Sequence, residues 1–250
     1  MDGPTHVRTA VWRLPDAPLR ASAVSTKLVG LFAVVSLAGA ARISLPLSAQ
    51  YASAAPATFA LLMLVSLGFV QQHHPFARFG PANQVTTFRA LGVAMIVALV
   101  GELRLPVLAA TAAAASVVVM MLDGVDGWLA RRHRIASDFG ARFDMEVDAL
   151  LILALSVLAW RFDKAGAWVI AAGALRYVFV AAGLRWRWLE SPLPPSFRRK
   201  TICVVQLAAL TVILLPVVTP PVSTAIAASA LAALSGSFLV ATLWLWRRAA

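Results

Sequence analysis

Six of the chain's eleven acidic residues fall between positions 123 and 148: Asp123, Asp126, Asp138, Asp144, Glu146 and Asp148. Asp123 and Asp126 are three apart and Asp144 and Asp148 four apart, so on helices each pair projects from one face. If the fourth apolar run continues past Leu122 as a helix, the short connection to the next helix sets the two helix ends side by side and four carboxylates converge. Unit charges ~4 Å apart at an effective dielectric of ~20 repel by about 4 kcal/mol per pair. Such a cluster must protonate or bind cations. A ligand set of carboxylate oxygens favours hard ions, Mg2+ or Mn2+, and four carboxylates suit two of them. Paired ions of this kind support phosphoryl transfer. Gly127 lets a ligand approach the backbone, and Arg131 can pair with a phosphate. The competing reading is a solvated acidic face balanced by Arg131, Arg132, Arg134 and Arg142. Four carboxylates at these spacings beside a membrane favour the metal reading. Asp138 and Glu146 fall outside the spacing and read as solvated neighbours.

The elements that must position these acids are apolar. Of the 250 residues 60% are hydrophobic and 13% charged, which points to an all-α, polytopic membrane protein rather than a soluble core. Eight runs approach or reach spanning length: 28–41, 52–70, 83–100, 105–122, 143–160, 165–184, 202–218 and 222–246. They lack period-2 alternation, so helices are favoured over a barrel. The first run, with Ala38, Gly39 and Ala40, has features of a signal-peptide core, but an uncleaved helix reaching toward Pro46 with Arg42 snorkelling is preferred. Residues 1–27 read as a cytoplasmic segment without a long helix, because of Pro4, Pro15 and Pro18. Residues 28–72 read as two additional transmembrane helices, and residues 80–250 as the catalytic unit.

The net charge of +11 does not mark a nucleic-acid binder, because the basic residues lie in short loops between apolar runs. Of the seventeen Arg and Lys after residue 75, thirteen fall on the side of the acidic stretch and three (Arg104, Arg161, Lys164) on the other, with Arg176 inside a span. This distribution puts the acidic stretch in the cytoplasm. His73 and His74 point to different sides of a helix with no third ligand near, and read as a polar headgroup-level loop. Cys203, the only cysteine, excludes an intrachain disulfide and packs within a helix. Asn83 is a candidate N-cap. Asn83, Thr86 and Arg89 share one end of the third helix, either as a capped, snorkelling start or as ligands.

The pattern D-x2-D-G-x2-A-R-x8-G-x3-D-x3-D, met by Asp123, Asp126, Gly127, Ala130, Arg131, Gly140, Asp144 and Asp148, resembles the signature of the CDP-alcohol phosphotransferases. The segment N-x-x-T-x-x-R from Asn83 to Arg89 is similar to the opening of the same catalytic domain, so the resemblance covers roughly residues 80–248. It implies a six-helix catalytic domain, homodimeric, in which an alcohol hydroxyl displaces CMP from a CDP-linked donor. It further implies that Asp123, Asp126 and Asp144 hold the two metal ions, with Asp148 as both metal ligand and general base. Gly127, Arg131, Asn83 and Thr86 would contact the cytidine diphosphate, and Ser137 falls where the family often has a donor-side hydroxyl.

The expected activity is transfer of a phosphatidyl group from CDP-diacylglycerol to a small alcohol, in a bacterial-type inner membrane among its lipids. For the acceptor, Arg176 inside a span is a candidate by its location. Arg198, Arg199 and Lys200 resemble the basic segment of relatives that use phosphorylated acceptors, although positive-inside anchoring explains them equally. Relatives making phosphatidylglycerophosphate tend to carry Arg-Glu where this chain has Arg176-Tyr177, which weighs against glycerol 3-phosphate. The alternatives are a polytopic cation transporter using the acidic cluster as its ion site, and a catalytically silent lipid-binding paralogue.

Overall fold

The computed structural model describes residues 14–133, 137–191, 193–194 and 196–249. Each apolar run becomes one helix: α1 Ala17–Ser44, α2 Tyr51–His73, α3 Pro81–Ala98, α4 Pro106–His133, α5 Asp138–Arg161, α6 Ala171–Arg185, α7 Phe197–Ile213 and α8 Val222–Ala249. Short 3-10 turns at Leu99–Gly101, Ala167–Ile170 and Arg187–Glu190 lie between them, and no strand occurs among the described residues. Six of these helices are long and apolar enough to cross a membrane. The other two are α5, whose first half carries Asp138, Arg142, Asp144, Glu146 and Asp148, and α7, which has 17 residues. The chain is an all-α integral membrane protein.

Two helix starts differ from expectation, and proline explains both. α1 begins at Ala17, inside the segment expected to lack a long helix, because Pro18 sits in its first turn, where a missing N–H costs nothing. Leu19 and Ala23 are buried there and extend the packed face toward the N-terminus. α3 begins at Pro81 with Gly80 as its N-cap, so Asn83 lies within the first turn and is not the cap. Its Nδ2 donates instead to the Phe79 carbonyl at 2.6 Å.

α3 is the hub, packing against α1, α2, α4 and α5. Ala90, Val93, Ala94 and Ile96 are fully buried along it. Packing elsewhere is set by small residues and by paired hydroxyls. On α6, a Cβ added to Gly173 would lie 2.3 Å from the Leu153 Cα, so that contact with α5 requires glycine. Ser116 on α4 meets Thr211 on α7, Oγ to Oγ1, at 2.9 Å. The helices alternate in direction, so the connections before α2, α4, α6 and α8 gather at one end of the bundle.

That end is tied by polar contacts. The Glu102 carboxylate accepts from the Ser48 N–H and hydroxyl, both at 2.7 Å. Arg161 donates to the carbonyls of Val100 and Glu102. The Lys164 ammonium donates to the carbonyls of Leu215 and Val218, at 2.9 and 2.7 Å. These ties link the four connections, and the acidic stretch from Asp123 to Asp148 lies at the opposite end.

Candidate active site

α4 runs unbroken through Asp123 and Asp126 to His133, and α5 restarts at Asp138. Ser137 is the N-cap of α5, its Oγ accepting the Gly140 N–H at 3.1 Å. Two turns into α5 stand Asp144 and Asp148. The expected convergence of the four carboxylates is present, and its centre is a side chain from a third helix. Arg89 on α3, only 1% exposed, sends Nη2 to within 2.9 Å of Asp123 Oδ1 and Nη1 to within 2.8 Å of Asp126 Oδ2. The same two nitrogens donate to Asp144 Oδ1 and Asp148 Oδ1. Thr86, one turn before Arg89, places its Oγ1 2.9 Å from Asp126 Oδ2.

One guanidinium set against four carboxylates leaves an excess of three negative charges. At these separations such an excess is unfavourable on the scale of several kcal/mol, even at an effective dielectric of ~20. The site therefore calls for further positive charge, a proton or a bound cation. Asp123, Asp126 and Asp144 each bring a carboxylate oxygen within 4.8 Å of the others, a grouping that could hold a metal ion. The donors are all oxygen, so the residues present fit a hard divalent cation. Exposure rises from 7% for the Asp126 side chain to 39% for Asp144, so the cluster is most open at Asp144.

The other expected site residues divide into groups. Asn83, Ser137 and Gly140 meet, since a Cβ on Gly140 would lie 2.9 Å from Asn83 Oδ1 and 3.3 Å from Ser137 Oγ. Glycine there lets the start of α5 close onto α3. Gly127 follows Asp126 on α4 and is half-buried. The side chain of Arg131 lies outside the described residues. Arg198, Arg199 and Lys200 occupy the first turn of α7, with Arg198 and Lys200 exposed and Arg199 donating to the Pro194 carbonyl. Arg176 on α6 donates to Glu146 on α5 at 2.5 Å. Glu146 is thus ion-paired and not merely a solvated neighbour, whereas Asp138 is exposed, as expected.

Two residues differ from the sequence reading. Of the two roles open to Arg89, a snorkelling helix start or a place in the site, the structure shows the second, with its side chain buried against the acids. The available signal was its place six after Asn83 and three after Thr86, on a helix start facing four unbalanced carboxylates. His74, expected in a headgroup-level loop, is buried, with Nδ1 3.0 Å from Ser137 Oγ. Its adjacency to His73 carried no hint of this.

Comparison with known proteins bears on the same region. The sequence model of the CDP-alcohol phosphatidyltransferase family matches residues 79–244. A stretch of 86 residues is 33% identical to the CDP-diacylglycerol--glycerol-3-phosphate 3-phosphatidyltransferase of Bacillus subtilis (strain 168), covering 34% of this chain and 44% of that protein. The chain thus spans less than half the length of this curated relative. No solved structure matches.

Proposed function

This chain belongs to the CDP-alcohol phosphatidyltransferase family, and we propose that it transfers a phosphatidyl group from CDP-diacylglycerol to a small alcohol, releasing CMP. The observation that carries the proposal is the convergence of Asp123, Asp126, Asp144 and Asp148 on Arg89, with negative charge in excess. In this reading the four aspartates hold two Mg2+ or Mn2+ ions. Bound ions would neutralise the diphosphate and polarise the phosphorus under attack.

The chain's own residues do the rest. Asp148 lies outside the group of three that could share one ion. It takes the proton from the acceptor hydroxyl while that oxygen bonds to the phosphorus bearing the diacylglycerol. The bond from this phosphorus to the CMP oxygen breaks, and CMP leaves with the electron pair. Arg89, from α3, keeps the carboxylates of α4 and α5 in one geometry, so little reorganisation is needed when the substrate arrives. Asn83, Thr86, Gly127, Arg131 and Ser137 are assigned to binding of the cytidine diphosphate.

The basic first turn of α7, Arg198 to Lys200, would receive the phosphate of a phosphorylated acceptor. Arg176 is committed to Glu146, which leaves α7 as the stronger acceptor candidate. The relative's glycerol 3-phosphate belongs in the acceptor panel, although the Arg176-Tyr177 sequence argues against it. The thirteen-to-three distribution of basic residues supports a cytoplasm-facing site in a bacterial-type inner membrane. Family resemblance supports a homodimer, with residues 80–250 as the catalytic unit. A cation transporter is less well supported, because transporter ion sites lie near the midplane on broken helices, whereas these acids line unbroken helices near one end.

The test is CMP release by purified protein given CDP-diacylglycerol, Mg2+ or Mn2+, and a panel of free and phosphorylated alcohols. Turnover with at least one alcohol, abolished by chelator and by Asp148→Ala, is expected. Absence of CMP release with every alcohol, together with cation flux in liposomes, would favour the transporter.

A further inference from the structure

The geometry points to His74 as a positioning residue for the donor side of the site, through which the N-terminal helix pair holds the start of α5. The inference rests on the phosphatidyl transfer proposed above. α1 and α2 precede residues 79–244, the part that the family model matches, and His74 is the residue that closes α2.

The hydrogen-bond directions follow from the partners. His74 Nε2 lies 2.9 Å from the Arg78 carbonyl oxygen, which can only accept, so Nε2 carries the proton. With the ring neutral, Nδ1 is bare and accepts the Ser137 hydroxyl proton at 3.0 Å. Ser137 Oγ in turn accepts the Gly140 N–H at 3.1 Å. The hydroxyl's single proton is committed to His74, and a lone pair is thereby aimed at the first turn of α5. Without an acceptor at Nδ1, the Ser137 hydroxyl is free to rotate away from the cap.

The imidazole is held by packing. Its centroid lies 5.4 Å from the Phe76 ring, 6.4 Å from Phe79 and 6.1 Å from Phe139. Phe139 stacks on Phe143, the residue before Asp144, at 5.6 Å. α1 reaches the same cluster. The buried Lys27 ammonium lies 5.4 Å from the Phe79 ring centroid and 5.8 Å from Phe143, and it donates to Ser66 on α2. Ser22 on α1 accepts the Phe79 N–H at 3.2 Å.

The consequence is specific to the donor. Ser137 and Asn83 both close on Gly140 on the side assigned to cytidine diphosphate, whereas the acids are held by Arg89. Loss of the His74 contact should therefore weaken donor binding more than it slows chemistry.

The experiment uses the full chain with His74→Leu and His74→Asn. The asparagine Oδ1 can accept the Ser137 hydroxyl as Nδ1 does, and leucine cannot. His74→Leu should raise KM for CDP-diacylglycerol and Kd for CMP about five- to tenfold, the scale of a lost N-cap, with kcat within about twofold. His74→Asn should recover most of the affinity, and Ser137→Ala should add little to His74→Leu. The idea fails if an active wild type is matched by His74→Leu. It fails equally if both variants lose affinity to the same extent, since packing alone would then explain the effect. A wild type that neither binds nor releases CMP would remove the phosphatidyl-transfer reading and this inference with it.

Discussion

The two ends of the helical bundle each bury a carboxylate near an arginine, and they differ in whether the protein satisfies it. At one end Glu102, 5% exposed, accepts two hydrogen bonds from Ser48, while Arg161 ties the adjoining backbone carbonyls. Each of its carboxylate oxygens has a local donor. At the other end four carboxylates share one guanidinium, whose Nε has no partner among the described residues. The first arrangement closes a joint between loops. The second is incomplete without further positive charge, and that incompleteness separates a site from a tie.

The contrast can be broken most sharply at the acids. Asp144→Asn and Asp148→Asn should each lower CMP release by ~10^2–10^4-fold, the range for loss of a catalytic proton acceptor or its equivalent. Their melting temperatures in chelator should not fall, because each removes one member of a repelling set. A comparable loss of activity in Glu102→Gln, with the fold intact, would erase the distinction between the two ends.

Arg89→Ala should destabilise the chelated protein by ~3–5 kcal/mol, the usual result of removing one partner from a buried ionic cluster. Added Mn2+ should recover part of that loss, read as a larger metal-induced rise in melting temperature than for the wild type. An equal rise in both proteins would show that Arg89 and the cation do not serve the same charge excess.

Glu102→Ala strands the Ser48 donors and should cost ~1–3 kcal/mol of stability, leaving CMP release within about twofold. The smallest effect is expected at Arg104 and Asp163 in the same end, an exposed pair 3.5 Å apart. Asp163→Asn should leave melting temperature and turnover unchanged within error, since screened surface pairs contribute little.

The eight helices were legible in the sequence because each is a continuous apolar run, a local property, although six of them, and not the expected eight, are long and apolar enough to cross a membrane. The spacings of Asp123 to Asp126 and of Asp144 to Asp148 were legible for the same reason, since helical periodicity alone puts each pair on one face. The start of α1 at Ala17 lies outside what Pro4, Pro15 and Pro18 suggest, because a first-turn proline such as Pro18 is compatible with a helix.

What only the tertiary structure decided lies across helices. Arg89 meets Asp126, Asp144 and Asp148 over separations of 37, 55 and 59 residues, and His74 meets Ser137 over 63. No local pattern encodes which buried cation faces which acids, or which polar side chain will find a partner when α3 packs between α4 and α5. The sequence by itself determined that this chain spans a membrane with carboxylates gathered at two helix ends. Packing around α3 decided that an arginine stands among them, and that the N-terminal helices reach the same site through His74.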